Sequence, residues 1–255
     1  MAMVFAFANQ KGGVGKTTTA VNLGAYLAAA GQSVLLVDID PQANATSSLG
    51  IDKYSLKTSI YDTLVNDTGL DQIIQLTNLM RLDIAPSSPA LAGAEVELVG
   101  AEQREFLLQQ ALMPVLDRYD HVLIDCPPSL SLLTINALTA AQNGVIIPVQ
   151  CEYLALEGLS QLVQTIDLVR RTLNPALSVQ GVVMTMYDGR TRLSQQVVDE
   201  VRQYFGKRVF ATVVPRSIRL SEAPSYGQPI LTYSPGSAGS LAYESLAKEL
   251  IRQTG

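Results

Sequence analysis

Asn9-Gln10-Lys11-Gly12-Gly13-Val14-Gly15-Lys16-Thr17-Thr18 is a glycine-rich stretch that ends in a lysine and two hydroxyls and carries a second lysine five residues earlier. An apolar run, Met3 to Ala8, precedes it and a helix-compatible segment, Thr17 to Ala30, follows, so the stretch reads as a strand-to-helix turn. The first N–H groups of a helix have no partner within it and are free to hold an anion. Gly12, Gly13 and Gly15 allow dihedrals and close approaches that a Cβ would obstruct, Lys16 can reach β- and γ-phosphates, and the Thr17 hydroxyl can ligate Mg²⁺. The strict phosphate-loop pattern fails at its first glycine, where Gln10 stands, and Lys11 is extra to it. An ordinary turn with a surface lysine has no need of strand, loop, lysine, hydroxyl and helix in this order; a phosphate cradle does.

Two further segments supply acids. Ser33-Val34-Leu35-Leu36-Val37-Asp38-Ile39-Asp40-Pro41-Gln42 reads as a buried parallel strand ending in carboxylates at alternate positions, so Asp38 and Asp40 are expected on one face. His121-Val122-Leu123-Ile124-Asp125-Cys126-Pro127-Pro128 is a second apolar strand with an acid at its carboxyl end, the placement of an aspartate that holds Mg²⁺ directly or through water. Any one of these acids alone reads better as a turn or cap residue. Three at strand ends reverse that, because α/β sheets bind ligands at the carboxyl ends of their strands.

Lys11 to Thr18, Val37-Asp38-Ile39-Asp40-Pro41-Gln42 and Ile124-Asp125-Cys126-Pro127-Pro128 together resemble the deviant Walker A ATPases of the ParA/MinD superfamily. Arg216-Ser217-Ile218-Arg219-Leu220-Ser221-Glu222-Ala223-Pro224-Ser225-Tyr226-Gly227 and Gln150-Cys151-Glu152-Tyr153-Leu154-Ala155-Leu156-Glu157-Gly158-Leu159 narrow the resemblance to the short chromosomal ParA/Soj group. It covers about residue 3 to about residue 253. It implies a Mg²⁺-dependent ATP hydrolase with weak intrinsic activity, which forms a homodimer with ATP, binds double-stranded DNA without sequence preference and is reset when a ParB-like (Spo0J-like) partner stimulates hydrolysis. It further implies ATP contacts from Lys11, Gly12, Gly13, Val14, Gly15, Lys16, Thr17, Thr18, Glu152 and Pro215. Lys11, Lys16 and Asp40 would be catalytic, with Asp40 positioning the attacking water. Thr17 and Asp125 would hold Mg²⁺, with Asp38 behind them.

Composition agrees. The 255 residues are 47 % apolar, enough for a sizeable core, and no Pro/Gly/Ser-rich hinge or repeat divides them, so a single domain over 1–255 is expected. Cys126 and Cys151 stand at strand ends, outside any C-x-x-C pattern, and read as buried free thiols of a reducing compartment. The apolar segments are interrupted well before about 20 residues, and the start lacks a basic secretory region, so a cytoplasmic protein is expected, and the resemblance implies that it is nucleoid-associated. Strands at Val34–Val37, Arg81–Ala85, Val122–Ile124, Gly144–Val149, Val179–Thr185 and Val209–Val214 alternate with helices, among them Ile60–Val65, Arg104–Arg118, Leu132–Ala141, Ala155–Leu173, Ser194–Phe205 and Ala238–Arg252. That order predicts a doubly wound, mostly parallel sheet with helices on both faces.

The net charge of −5 argues against a general basic surface, yet residues 181–233 hold seven bases against four acids, +3, leaving −8 elsewhere. Five of the seven are expected in loops or at strand ends. As residues alone they read first as a solvated face with local ion pairs. The resemblance implies DNA binding by Arg190 and Arg219, with Arg192, Arg216 and Arg252 as weaker candidates. One histidine, His121, leaves neither a Ser-His-Asp triad nor a histidine-rich metal site, and two cysteines do not match a cluster-carrying relative. The competing reading is a MinD-like switch on a membrane surface. The tail, with Leu246, Leu250 and Ile251 on one stripe, mixed charges and no exposed Phe or Trp, reads instead as a core-packing helix without a stable membrane anchor. Operator-specific repression is not expected, since no helix-turn-helix segment precedes the phosphate loop.

Overall fold

A computed structural model describes residues 2–152 and 157–254; Tyr153 to Leu156, part of the second ParA/Soj motif, lie outside the described residues. The strands are β1 (Met3–Phe7), β2 (Val34–Asp38), β3 (Gln75–Leu76), β4 (Leu82–Ala85), β5 (His121–Asp125), β6 (Val145–Gln150), β7 (Val179–Tyr187) and β8 (Val209–Pro215). The helices are α1 (Lys16–Ala29), α2 (Asn44–Ser48), α3 (Ile60–Val65), α4 (Leu70–Ile73), α5 (Leu91–Glu97), α6 (Leu107–Leu112), α7 (Leu132–Ala140), α8 (Glu157–Thr172), α9 (Arg192–Phe205), α10 (Ile218–Glu222), α11 (Ile230–Tyr233) and α12 (Ala238–Thr254). The strands join in the order β3-β4-β2-β5-β1-β6-β7-β8, parallel throughout except for the short β3, which pairs antiparallel with β4.

The strands are near-continuous apolar runs because both sheet faces are covered. Val4, Ala6, Leu35, Val37, Val122, Ile124, Ile147 and Met184 point into one core. Phe5, Phe7, Leu36, Leu123, Ile146 and Val183 alternate into the other, which α1 and α12 close with Leu23, Leu27, Tyr243 and Leu246. Alternation decides where the acids go. Asp38 has the parity of Leu36, Asp125 that of Leu123, and the two are register partners across β2 and β5. Both carboxylates therefore emerge on the α1 face, where the loop after β1 ends.

The sequence expectation departs from the fold in identifiable places. The helix expected over Arg104–Arg118 begins only at Leu107, where the Asn136 side chain accepts from the Leu108 N–H at 3.1 Å, and tightens into a 3₁₀ turn at Met113–Arg118. Pro114 has no N–H with which to continue the α-helical pattern. The short helices α2, α4 and α5 and the two-residue β3 were not anticipated. β2 ends at Asp38, so Asp40 stands in the following turn rather than on the strand. At the β8 edge the Glu249 carboxylate accepts from the N–H groups of Ala211 and Thr212 at 2.7 and 3.1 Å, covering donors that an exposed edge would offer to another chain.

Candidate nucleotide site and basic surface

The turn between β1 and α1 is fastened from three sides. The Asn9 side chain donates to the Pro148 carbonyl at 2.8 Å and accepts from the Lys11 N–H at 3.0 Å, and the Thr185 hydroxyl donates to the Val14 carbonyl at 2.8 Å. Gly13 and Gly15 adopt φ of +73° and +89°, left-handed values open to them because they lack a Cβ. Gly12 does not need that freedom: a Cβ there would come no closer than 4.0 Å to Pro128, its nearest neighbour. Lys16 is buried at the start of α1, its ammonium donating to the Lys11 carbonyl at 3.4 Å, whereas the Lys11 residue itself is exposed.

These residues wall a cavity of about 520 Å³ lined by Gly12, Gly13, Gly15, Lys16, Thr17 and Thr18 on one side and by Asp40, Gln42 and Lys53 on the other. A second hollow of about 270 Å³ shares Gly15, Thr18, Met186 and Pro224 with it and is completed by Val214, Pro215 and Tyr243. The first space, walled by the loop and Lys16, suits phosphates, and the adjoining one has room for a ring bordered by Val214, Pro215 and Tyr243. Pro215 lines the second hollow. Glu152 lines neither; it is ion-paired with Arg216, which does line the second hollow.

The three aspartates divide their work. Asp38 is fully buried and satisfied: one oxygen accepts from the Thr46 N–H and hydroxyl at 2.8 and 2.7 Å, the other from the Asp40 N–H at 3.1 Å. Burial pushes its carboxyl up to about 6, against the pull of those hydrogen bonds. Asp40 sits at the cavity wall, its main-chain carbonyl held by the Ser87 hydroxyl at 2.8 Å while the Ser87 N–H donates to Thr46. Asp125 is buried with neither carboxylate oxygen hydrogen-bonded. Desolvation, then the neighbouring Asp38, hold its carboxyl well above the ordinary range; the Thr17 hydroxyl and the Lys16 ammonium pull the other way. Burial likewise lowers Lys16, opposed first by Asp125.

An orphaned buried carboxylate beside a threonine hydroxyl suits a hard divalent cation. Among the described residues no group of three or more His, Cys, Asp or Glu side chains is placed to hold a metal by itself. That is the donor set Mg²⁺ favours, one or two protein oxygens completed by water and substrate phosphates. Thr17 and Asp125 would hold it, and the bound ion would neutralise charge developing on the phosphates.

Among the candidate DNA-binding arginines, Arg216 lines the second hollow, and Arg190, Arg216 and Arg219 are each paired with a carboxylate. Arg190 forms a two-point pair with Asp188 at 2.9 and 2.7 Å, which holds the Asp188 carboxyl well below the usual range, with Arg216 adding to the effect. Arg219, on the short helix α10 rather than in a loop, pairs with Glu222 at 3.0 Å. Arg192 is the first residue of α9, and no carboxylate among the described residues pairs with it. Arg202, Lys207 and Arg208 lie in helical or 3₁₀ turns, so two of the seven bases, Arg190 and Arg216, remain outside helices, fewer than expected. Sequence reading missed Thr46, Ser87 and Thr185, whose contacts join segments far apart in the chain, and Lys53, whose bond reaches back to Gln42.

A loop of this kind at the head of a doubly wound sheet, with acids at the ends of β2 and β5, defines a phosphate-loop nucleotide-binding protein. The sequence pattern of a family described as "AAA domain" matches residues 2–179. The chain is 56 % identical over 250 residues to "Sporulation initiation inhibitor protein Soj" of Bacillus subtilis, covering 98 % of each, and 51 % identical over 255 residues to "Chromosome-partitioning ATPase Soj" of Treponema pallidum, covering 100 % of this chain and 99 % of that one. It belongs to the ParA/Soj family of chromosome-partitioning ATPases. Among solved structures it is similar to the protein described as cobyrinic acid a,c-diamide synthase from Mycobacterium smegmatis, bound to ADP and magnesium, at a TM-score of 0.88 and 40 % identity over 100 % of this chain and 96 % of that one.

Proposed function

We propose that this chain is a Mg²⁺-dependent ATPase whose ATP form is a homodimer bound to DNA without sequence preference, so that hydrolysis, stimulated by a ParB-type partner, returns it to a DNA-free monomer and moves a chromosome origin, plasmid or other cargo. The observation that carries this reading is the cavity lined by buried Lys16, by Thr17 and by the exposed Gly12 and Gly13, with exposed Lys11 next to them in the chain and the buried, unpartnered Asp125 close enough to Lys16 to act on its charge. A triphosphate seated there keeps one face open. Two such faces apposed set triphosphate against triphosphate, and a lysine from each mouth reaching the opposite nucleotide relieves that repulsion.

The membrane-surface alternative finds less support. Of the apolar residues of α12, Tyr243, Leu246, Ala247 and Leu250 are buried in the core, Ile251 is partly buried and Leu241 is exposed, which leaves no continuous apolar stripe for a bilayer, and no described helix is long and apolar enough to cross one.

Gly12→Val tests the pairing directly. Since a Cβ at Gly12 meets nothing closer than 4.0 Å within the subunit, the variant should fold and bind ATP normally, yet light scattering should find a monomer where the wild type doubles in mass with ATP and remains single with ADP. A wild type of one mass in apo, ADP and ATP states would overturn the proposal. Chemistry is tested separately at Asp40, which faces the cavity and is held by Ser87. Asp40→Ala should retain ATP and accumulate as dimer, while steady-state hydrolysis slows by about 10²-fold, the usual worth of positioned general-base assistance. Turnover at the wild-type rate would reduce Asp40 to a structural role.

A further inference from the structure

We propose that Lys53 is a third lysine of the nucleotide site, which reads the terminal phosphate of a bound nucleoside triphosphate from the wall facing the phosphate loop. The proposal rests on the reading of the cavity as a nucleoside triphosphate site and adds to it a residue outside every motif of the sequence. Lys53 lines the same cavity as Lys16 and Asp40. Its ammonium donates to the Gln42 carbonyl at 2.6 Å, and no carboxylate among the described residues pairs with it. An ammonium has three donors, so two remain for a ligand. The Gln42 N–H in turn donates to the Asp40 carboxylate at 2.9 Å. A single residue, Gln42, thus links the lysine to the acid proposed to position water, and on that reading the ammonium stands near the end of a triphosphate where hydrolysis occurs.

The segment between them is held tightly. Ala43 is buried at φ +50°, a left-handed value unfavourable for an L-residue, and its N–H donates to the Asp40 carbonyl at 2.8 Å. Backbone in such a state persists where its surroundings over-determine it, and these concentrate at ligand clamps. A phosphate that engages Lys53 therefore meets a fixed donor, and its presence is felt through Gln42 at Asp40. ADP, one phosphate shorter, leaves Lys53 on the Gln42 carbonyl alone.

The test compares affinities for a non-hydrolysable ATP analogue and for ADP by titration calorimetry, at protein concentrations where the wild type is monomeric. Lys53→Met, apolar and of similar length, should weaken the ATP analogue by about tenfold to a hundredfold, the worth of one charge-assisted hydrogen bond, and leave ADP within about twofold. Lys53→Arg should recover most of the loss. Unchanged ADP affinity also serves as the check that the variant is folded. Equal weakening of both nucleotides, or of neither, would overturn the proposal, as would a loss for the ATP analogue that appears only at concentrations where subunits pair, since Lys53 would then serve the partner's nucleotide. Retention of both nucleotides by Lys16→Ala would instead sink the site itself, so the two failures are distinguishable.

Discussion

Lys16→Ala is expected to lose ATP binding. Lys16 is the buried cation of the cavity, close enough to Asp125 and Asp40 for both to act on its charge. Without it a triphosphate would enter a cavity that presents carboxylates and no buried countercharge. Breaking a buried charge pair by removing one partner costs roughly 3–5 kcal/mol, about 10²- to 4 × 10³-fold in affinity. The empty protein should tolerate the change, because Lys16 is a minor influence on the Asp125 carboxyl beside desolvation and Asp38. Thr17→Ala should act differently: nucleotide should still bind, and the enhancement by Mg²⁺ should fall. Calorimetry with and without Mg²⁺ separates the two, and wild-type ATP affinity in Lys16→Ala would refute the role given to Lys16.

The second large effect is expected at the arginines. In the free subunit Arg190 and Arg219 are not vacant cations; each, itself exposed, holds a half-buried carboxylate, Asp188 or Glu222. Exposed pairs are worth about 0–1 kcal/mol, so exchanging the carboxylate for a phosphate is cheap, and the pairs store the side chains without sequestering them. One subunit offers three or four such contacts, each adding about −0.9 to the salt slope, so a monomer should hold DNA weakly at physiological salt. Pairing two patches makes the second engagement intramolecular and raises avidity by about 10²-fold or more. Arg190→Glu and Arg219→Glu remove an attraction and, beside Asp188 and Glu222, add a like charge. Each should cost the ATP state about 10²-fold in DNA affinity while light scattering still reports an ATP dimer. Undiminished DNA binding in both would move the DNA surface elsewhere.

The parts of this site legible in the sequence are those carried by local pattern. The strand–loop–helix order around Gly12 to Thr18, and the acids that stop β2 and β5, follow from periodicity and from where an α/β sheet binds its ligands. The division between Asp38 and Asp40 was not legible, because it depends on Thr46, Ser87 and the end of β2, and the Thr46–Ser87 contact spans 41 residues. The hold of Thr185 on Val14 spans 171 residues, and neither residue has a partner visible in its own segment. Lys53 was passed over because in sequence it is one lysine in a polar connection; folding places it in the cavity. The local ion pairs expected of the arginines form at Arg190–Asp188 and Arg219–Glu222, but the pair of Arg216 with Glu152, across 64 residues, was not legible.

The central claim is that ATP, by pairing two subunits, switches DNA binding on. The most direct test is a mobility-shift titration of one duplex of arbitrary sequence with the wild-type chain, in ADP and in ATP with Mg²⁺, at two salt concentrations. Tight binding in ATP alone, weakening steeply with salt, is the predicted result; equal affinity for DNA in the two nucleotide states would contradict it.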